Sequence, residues 1–382
     1  MILRGGRVAL GPRRAAMLDL TIRSGKIAAL GHSTRGIDVS GHLILPGLIN
    51  AHDHLSFNLF PLLGRPPYPN ASAWAHEIYR PDESPVREHR GISRETRLFW
   101  GALKNLVSGA TTVAHHDPDP PMKDAPVRIA RAGWAHSIAF TPDIARRFRS
   151  SSAKRPFIVH AGEGTDAASA REIFELDQLG VLDRRTAIVH GVAFDLRGLQ
   201  LLKRRGAALI ACPVSNLYTL RRTLRRSVFS SGIRIALGTD SAITAPGDLL
   251  DALRAAKSIW RLSNARLYEM VTTAAAEILR LADGRGTIQN GGVADVILIR
   301  DPGGAPADAL LDTTRIEMVI VAGKVRLVSE RFAALAGESF EPLAIHGRGR
   351  FLVDAPVRKL FQEATARLGA DIRLAGRRVR IK

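Results

Sequence analysis

The residues best placed to do chemistry are histidines and acids that each close an apolar, β-branched run. LILPGLINAHDHL, residues 43–55, ends in His52-Asp53-His54. In a strand, side chains two apart share a side, so His52 and His54 project together and Asp53 turns away. Two imidazoles so placed can close on one metal ion. Alone, the triplet suits equally well a strand that merely ends in polar residues. The pattern recurs, however. ATTVAHHD ends in His115-His116-Asp117, and FIVHAGEG carries His160 with Glu163 three residues on. TAIVHG ends near His190, ALIACPVSN in Ser215-Asn216, and RIALGTD in Asp240.

Neutral imidazoles with one carboxylate suit a borderline divalent ion, Zn²⁺ or Fe²⁺. A coordination position left open activates water. Glu163, just beyond His160, is then the candidate general acid and base. His190 is placed to hydrogen-bond the attacking water or a developing oxyanion. Asp240 can ligate the ion and take the proton of the water. The plain alternatives are a solvated loop carboxylate at 163 and a structural histidine at 190.

Such residues converge only if the elements carrying them share one end. Between 46 and 282, apolar runs alternate with helical patterns such as RETRLFWGALKNLVSG, SAREIFELDQLG and DLRGLQLLKRRG. Alternation of this kind predicts parallel βα units, and the span suits a (β/α)₈ barrel, whose strand C-termini open onto one active face. Six strands are clear and two fall within PVRIARAGWAHSIAF, where the connections are too short for full helices. Residues 1–45 and 283–382 read as short strands, with hairpin turns at Gly25-Lys26 and Gly323-Lys324. One β-module built from both termini is expected, followed by a helix over VRKLFQEATARLG and a basic tail. Residues 264–282 read as one packing helix, Asp248 as a helix cap, and Cys212 as a core thiol.

The 382 residues are 46% hydrophobic, enough for a sizeable core. No apolar run is long enough to span a membrane, and the N-terminus has no signal-peptide pattern. One cysteine excludes an internal disulfide, and these features together predict a cytoplasmic protein. The formal charge is +19, yet the basic residues are scattered without aromatic interleaving. A solvated basic surface is expected rather than a nucleic-acid partner.

Taken together, His52-x-His54 after LPGLIN, His160-Ala-Gly-Glu163, His190-Gly191, CPVSN and LGTDS resemble the amidohydrolase superfamily. The pattern is most similar to its cytosine deaminase and chlorohydrolase-like (ATZ/TRZ) branch. The resemblance covers nearly the whole chain. It implies an α/β protein, a (β/α)₈ TIM-like barrel with a small β-sandwich from both termini. It also implies a single metal held by His52, His54, His160 and Asp240, a proton carried by Glu163, and a water supported by His190. Relatives with two metals bridge them through a lysine on the fourth strand; WAHSIAF offers none.

The expected activity is hydrolysis of a non-peptide C–N bond in a small molecule, by deamination of an aminated N-heterocycle. The alternatives are hydrolysis of a cyclic amide or another leaving group, and a non-catalytic binding protein on the same fold. A homo-oligomer is left open. One departure stands out: the long, Pro-rich, aromatic stretch 57–90. It is expected to form a lid or pocket wall without regular structure, offering Asn58, Tyr68, Trp74, His76, Glu77 and Tyr79 to the substrate. His115, His116 and Asn216 are further candidate substrate contacts.

Overall fold

In the computed structural model, which describes residues 1–118 and 122–381, the runs that end in histidine are parallel strands. They belong to a set of eight parallel strands that carries the site. We label them β1 (Leu48–Asp53), β2 (Ala110–His115), β3 (Arg128–Ile129), β4 (Gly133–Ala135), β5 (Phe157–Ala161), β6 (Thr186–His190), β7 (Ala208–Ala211) and β8 (Ile235–Leu237). They form two arcs, β1-β2-β3 and β4-β5-β6-β7-β8, parallel throughout. Every residue of β1, β2, β5, β6, β7 and β8 is buried. Burial on both faces explains why these strands read as continuous apolar runs. The short β3 and β4 occupy the stretch where the sequence was least regular.

Among the described residues no strand ladder joins the arcs, either between β3 and β4 or between β8 and β1. Each seam is instead stitched by groups that belong to the site. At β8/β1 the backbone amides of Thr239 and Asp240 both donate to the His52 carbonyl, at 3.0 and 3.1 Å. At the other seam His116 Nε2 reaches past β3 to the Ala135 carbonyl of β4, at 3.0 Å.

The stretch 57–90 is not irregular throughout, as the sequence suggested. It holds α1 (Ala71–Ile78), capped by Asn70, and the short α2 (Val86–Arg90). The connecting helices start where polar caps stand. Ser93 caps α3 (Arg94–Val107), Asp166 caps α4 (Ala167–Gln178) and Asp195 caps α5 (Leu196–Arg205). Asp248 forms a reciprocal capping box with Asp251 at the start of α6 (Leu249–Trp260). The expected helix over 264–282 is broken in two, Asn264–Met270 and Thr273–Ile278. The break falls at Thr272, which leaves helical geometry at φ −133°, ψ −101°.

The termini build a ten-stranded sheet from both ends of the chain and a four-stranded sheet from residues before 39. Leu3, Leu20, Ile22 and Ile27 share one apolar cluster with Ile44, Val296, Leu298, Met318 and Ile320. The hairpins turn at Ser24-Gly25 and Ala322-Gly323, with positive φ at all four residues, as a type I′ turn requires. The two turns abut: a Cβ on Gly25 would lie 2.9 Å from the Ala322 carbonyl oxygen. Part of the basic charge is spent inside the fold. Arg348 is buried against Asp248 at 2.8 Å, and the half-buried Arg377 pairs with Asp251 at 2.8 Å. Lys382 of the basic tail lies outside the described residues. No described helix is long and apolar enough to cross a membrane.

Candidate metal centre

At the C-terminal ends of β1, β5 and β8 four side-chain donors converge. His160 Nε2 lies 3.2 Å from His52 Nε2 and 3.4 Å from His54 Nε2. Asp240 Oδ1 is 3.7 Å from each of those two imidazoles. A tetrahedron with metal–ligand arms of about 2.1 Å has edges of about 3.4 Å, which the imidazole pairs match, and one donor atom each of His52, His54 and Asp240 lies within 4.8 Å of the others. The donor chemistry fits as well. His160 donates Nδ1–H to the His136 carbonyl at 2.8 Å, which leaves its Nε2 a bare lone pair. Asp240 Oδ2 accepts from Ser215 Oγ (2.6 Å) and Thr244 Oγ1 (3.0 Å), so Oδ1 is the oxygen left over. Lone pairs facing one another in a buried site are costly unless a cation lies among them.

Burial and the surrounding imidazoles push His160 well below the usual histidine range, and burial takes His52 down to about 4 despite Asp240. Neutral imidazole is the ligating form. Asp240 is held ionised: burial opposes its charge, but the His52, His54 and His190 rings beside it prevail. His190 and Asp240 both carry positive φ, 75° and 58°, a conformation that non-glycine residues adopt at a cost and that gathers at functional sites.

Next to the donors stand Glu163 and His190, with Glu163 Oε2 3.4 Å from His190 Nε2. Burial, then the Asp240 and Glu172 carboxylates, push Glu163 well above the usual carboxylate range. His190 gives its Nδ1–H to Asn216 Oδ1 at 2.7 Å, so its Nε2 is an acceptor. Asn216, expected to touch substrate, sets the His190 tautomer. A cavity of about 270 Å³ adjoins Glu163, lined by His136, Ser137, Phe140, His160 and Glu172 among others, with Asn70–Ser72 of the 57–90 stretch on one side. A second cavity, about 680 Å³, lies between residues 58–62, 84–89 and the C-terminal 367–376.

The other expected contacts fall elsewhere. The buried Asn58, at the wall of the second cavity, donates to Asp53 Oδ1 at 2.7 Å. Trp74 donates Nε1–H to the Leu63 carbonyl at 3.0 Å, packed with Phe60, Leu63 and Ile243. Glu77 pairs with Arg65, Tyr68 accepts the Arg65 amide, and His76 turns to the Ser72 carbonyl. Tyr79 is 70% exposed and lines neither cavity. Trp74, His76 and Glu77 reach neighbours within the stretch because α1 turns them there. His115 accepts the Leu55 amide through Nδ1 at 3.2 Å, while His116 packs beside His52 and His160.

Beneath the donors lies a polar layer most of whose members stand outside the sequence motifs. Lys104, 1% exposed, sits 3.4 Å from Asp53 Oδ2 and donates to Asn58 Oδ1 (2.7 Å), Thr239 Oγ1 (3.3 Å) and the Asp240 carbonyl (3.4 Å). Asn105 donates to Asp53 Oδ2 at 2.8 Å, and Asn50 donates to Asn105 Oδ1 and Thr239 Oγ1, each at 2.8 Å. A lysine in the run LFWGALKNLV was the one available signal, because the helix is buried around its whole circumference there.

This geometry is that of a known class. A model of the amidohydrolase family matches residues 127–326, and the chain belongs to that family. A 5-methylthioadenosine/S-adenosylhomocysteine deaminase of Natronomonas pharaonis is 25% identical over 365 residues, 78% of this chain and 83% of that protein. Among solved structures, atrazine chlorohydrolase from Arthrobacter aurescens, complexed with zinc, superposes with a TM-score of 0.72 at 20% identity, covering 96% of this chain and 99% of that one. An adenosine deaminase from Xanthomonas campestris with bound zinc gives 0.71 at 18%, covering 96% and 97%. These likenesses establish the α/β, TIM-like barrel fold.

Proposed function

We propose that this chain is a metal-dependent hydrolase that deaminates a small aminated N-heterocycle or a related amidine-like compound. The observation that carries the reading is the set of four donors, His52, His54, His160 and Asp240, with a proton-bearing Glu163 at its edge. The deaminase names of the relatives agree with it. One Zn²⁺ or Fe²⁺ held there would supply Lewis acidity, lowering the pKa of a water toward neutrality.

The protein's own groups do the rest. Asp240 Oδ1, ionised and free of hydroxyl donors, takes a proton from the attacking water as its oxygen bonds to the substrate carbon. Glu163, protonated in its buried setting, delivers its proton to the ring nitrogen; the proton held by Asp240 passes to the amine, ammonia leaves, and the hydroxyl proton of the intermediate returns to Glu163 as the carbonyl forms. His190 in its Asn216-bound tautomer accepts at Nε2, so it can orient the water O–H or exchange a proton with Glu163. Steadying an oxyanion requires that it first take that proton. The 270 Å³ cavity beside Glu163 favours a compact substrate.

The same proposal takes residues 46–282 as a closed (β/α)₈ barrel, with 1–45 and 283–382 forming the two parts of one β-sandwich. It also places the enzyme in the cytoplasm, acting on a small molecule. The decisive experiment measures metal content by mass spectrometry and ammonia release across a purine, pyrimidine and pterin amine panel, with lactam opening in parallel. Ammonia from a metal-loaded enzyme is expected. Lactam opening alone would replace deamination by cyclic-amide hydrolysis, and no stoichiometric metal would sink both.

A further inference from the structure

One buried histidine at the centre has no task in this mechanism. His116 follows β2, is 0% exposed, and lies with its ring centroid 4.3 Å from that of His160 and 5.2 Å from that of His52. Its Nε2 stands 3.0 Å from the Ala135 carbonyl oxygen, which only accepts, so Nε2 carries the proton. Nδ1 is therefore a bare lone pair, and it is buried without any hydrogen-bond partner. Buried acceptors without partners are rare and costly. One donor atom each from His52, His116 and His160 falls within 4.8 Å of the others, as does one each from His52, His54 and Asp240. His52 thus belongs to both groups.

We propose that His116 is a fifth donor of the metal centre, binding through Nδ1 from the floor of the site while Ala135 fixes its tautomer. The inference rests on the metal-dependent reading above. A lone pair held by a backbone carbonyl on its far side is the usual arrangement of a ligating imidazole. Four imidazoles and one carboxylate make a nitrogen-rich set, which favours Zn²⁺, Fe²⁺ or a later divalent ion over Mg²⁺ or Mn²⁺. They also tether the ion to the seam between β3 and β4, as Asp240 and His52 tether it to the seam between β8 and β1.

Two substitutions separate ligation from packing. In His116→Gln the amide nitrogen reaches the Nε2 position and keeps the bond to Ala135, but nothing replaces Nδ1. In His116→Asn the amide oxygen stands near the Nδ1 position. Zinc affinity is measured by chelator competition on the full chain, and the visible spectrum is recorded after loading with Co²⁺. His116→Gln is expected to bind zinc at least about tenfold more weakly, with Co²⁺ bands that intensify as the coordination number falls, and His116→Asn to recover part of the affinity. X-ray absorption at the zinc edge of the unaltered protein should count four imidazoles. Three imidazoles, or unchanged affinity and spectrum in His116→Gln, would make His116 a packing residue and leave the four-donor centre standing. Failure of the unaltered protein to take up zinc or cobalt would remove the centre itself.

Discussion

Two polar layers lie one above the other at the ends of β1 and β8, and they differ in how fully their groups are paired. In the lower layer Asn50, Asp53, Asn58, Lys104, Asn105 and Thr239 exchange hydrogen bonds among themselves. In the upper layer imidazole nitrogens face one another 3.2–3.4 Å apart, and His116 has a nitrogen with no partner. Both layers are buried and both are rich in titratable groups. Pairing is what distinguishes them: a completed network holds the chain together, whereas an incomplete one marks where a ligand completes it.

The sharpest way to break the contrast is to remove a donor from the upper layer. His52→Ala should abolish stoichiometric metal by mass spectrometry and lower turnover by at least about 10⁴-fold, while denaturant unfolding changes little. Glu163→Gln keeps every donor and removes only the proton carrier. Its kcat should fall about 10²–10⁴-fold with metal content intact; retained turnover would reassign the acid.

The lower layer should answer in stability. Lys104→Met strands the Asp53 carboxylate and should cost about 3–5 kcal/mol in chemical unfolding. Adding Asp53→Asn to it should restore most of that loss, and if the double variant were no more stable than the single one, the layer would not be a charge pair. Asn216→Ala frees the His190 tautomer and should lower kcat about tenfold without moving metal affinity.

The smallest effect concerns Glu172, which lines the cavity beside Glu163. Burial raises its pKa to about 7, partly opposed by the Gly162 amide at 2.7 Å. A carboxyl raised in the folded state favours folding at low pH. That contribution is full below about pH 4.5 and is lost as the pH rises through about 7. Glu172→Gln should therefore flatten the fall in melting temperature between pH 5 and 8, by about 1 kcal/mol after solvent screening.

What could be read in the chain follows the same division. His52, His54, His160 and Asp240 were visible because each chemistry-bearing residue ends an apolar run, a local pattern. His116 was visible too, as an extra histidine read as a substrate contact. Lys104 and Asn50 were not, since a paired interior group looks like any polar residue until its partner, up to 189 residues away, is known. The 57–90 stretch was only partly legible for a related reason: its aromatic and polar residues read as substrate contacts, whereas α1 turns Trp74 and Glu77, with Tyr68 just before it, toward neighbours a few residues distant. The break at Thr272 likewise depends on packing that helical periodicity does not encode.

The seam between β8 and β1 carries a consequence for synthesis. His52 and His54 emerge early from the ribosome, but Asp240 and the amides that grip the His52 carbonyl follow almost two hundred residues later. A nascent chain that stops short of β8 exposes histidines without their carboxylate and with the first strand unclasped. Capture of an ion by the full donor set then waits, together with the clasp on β1, for β8 to emerge.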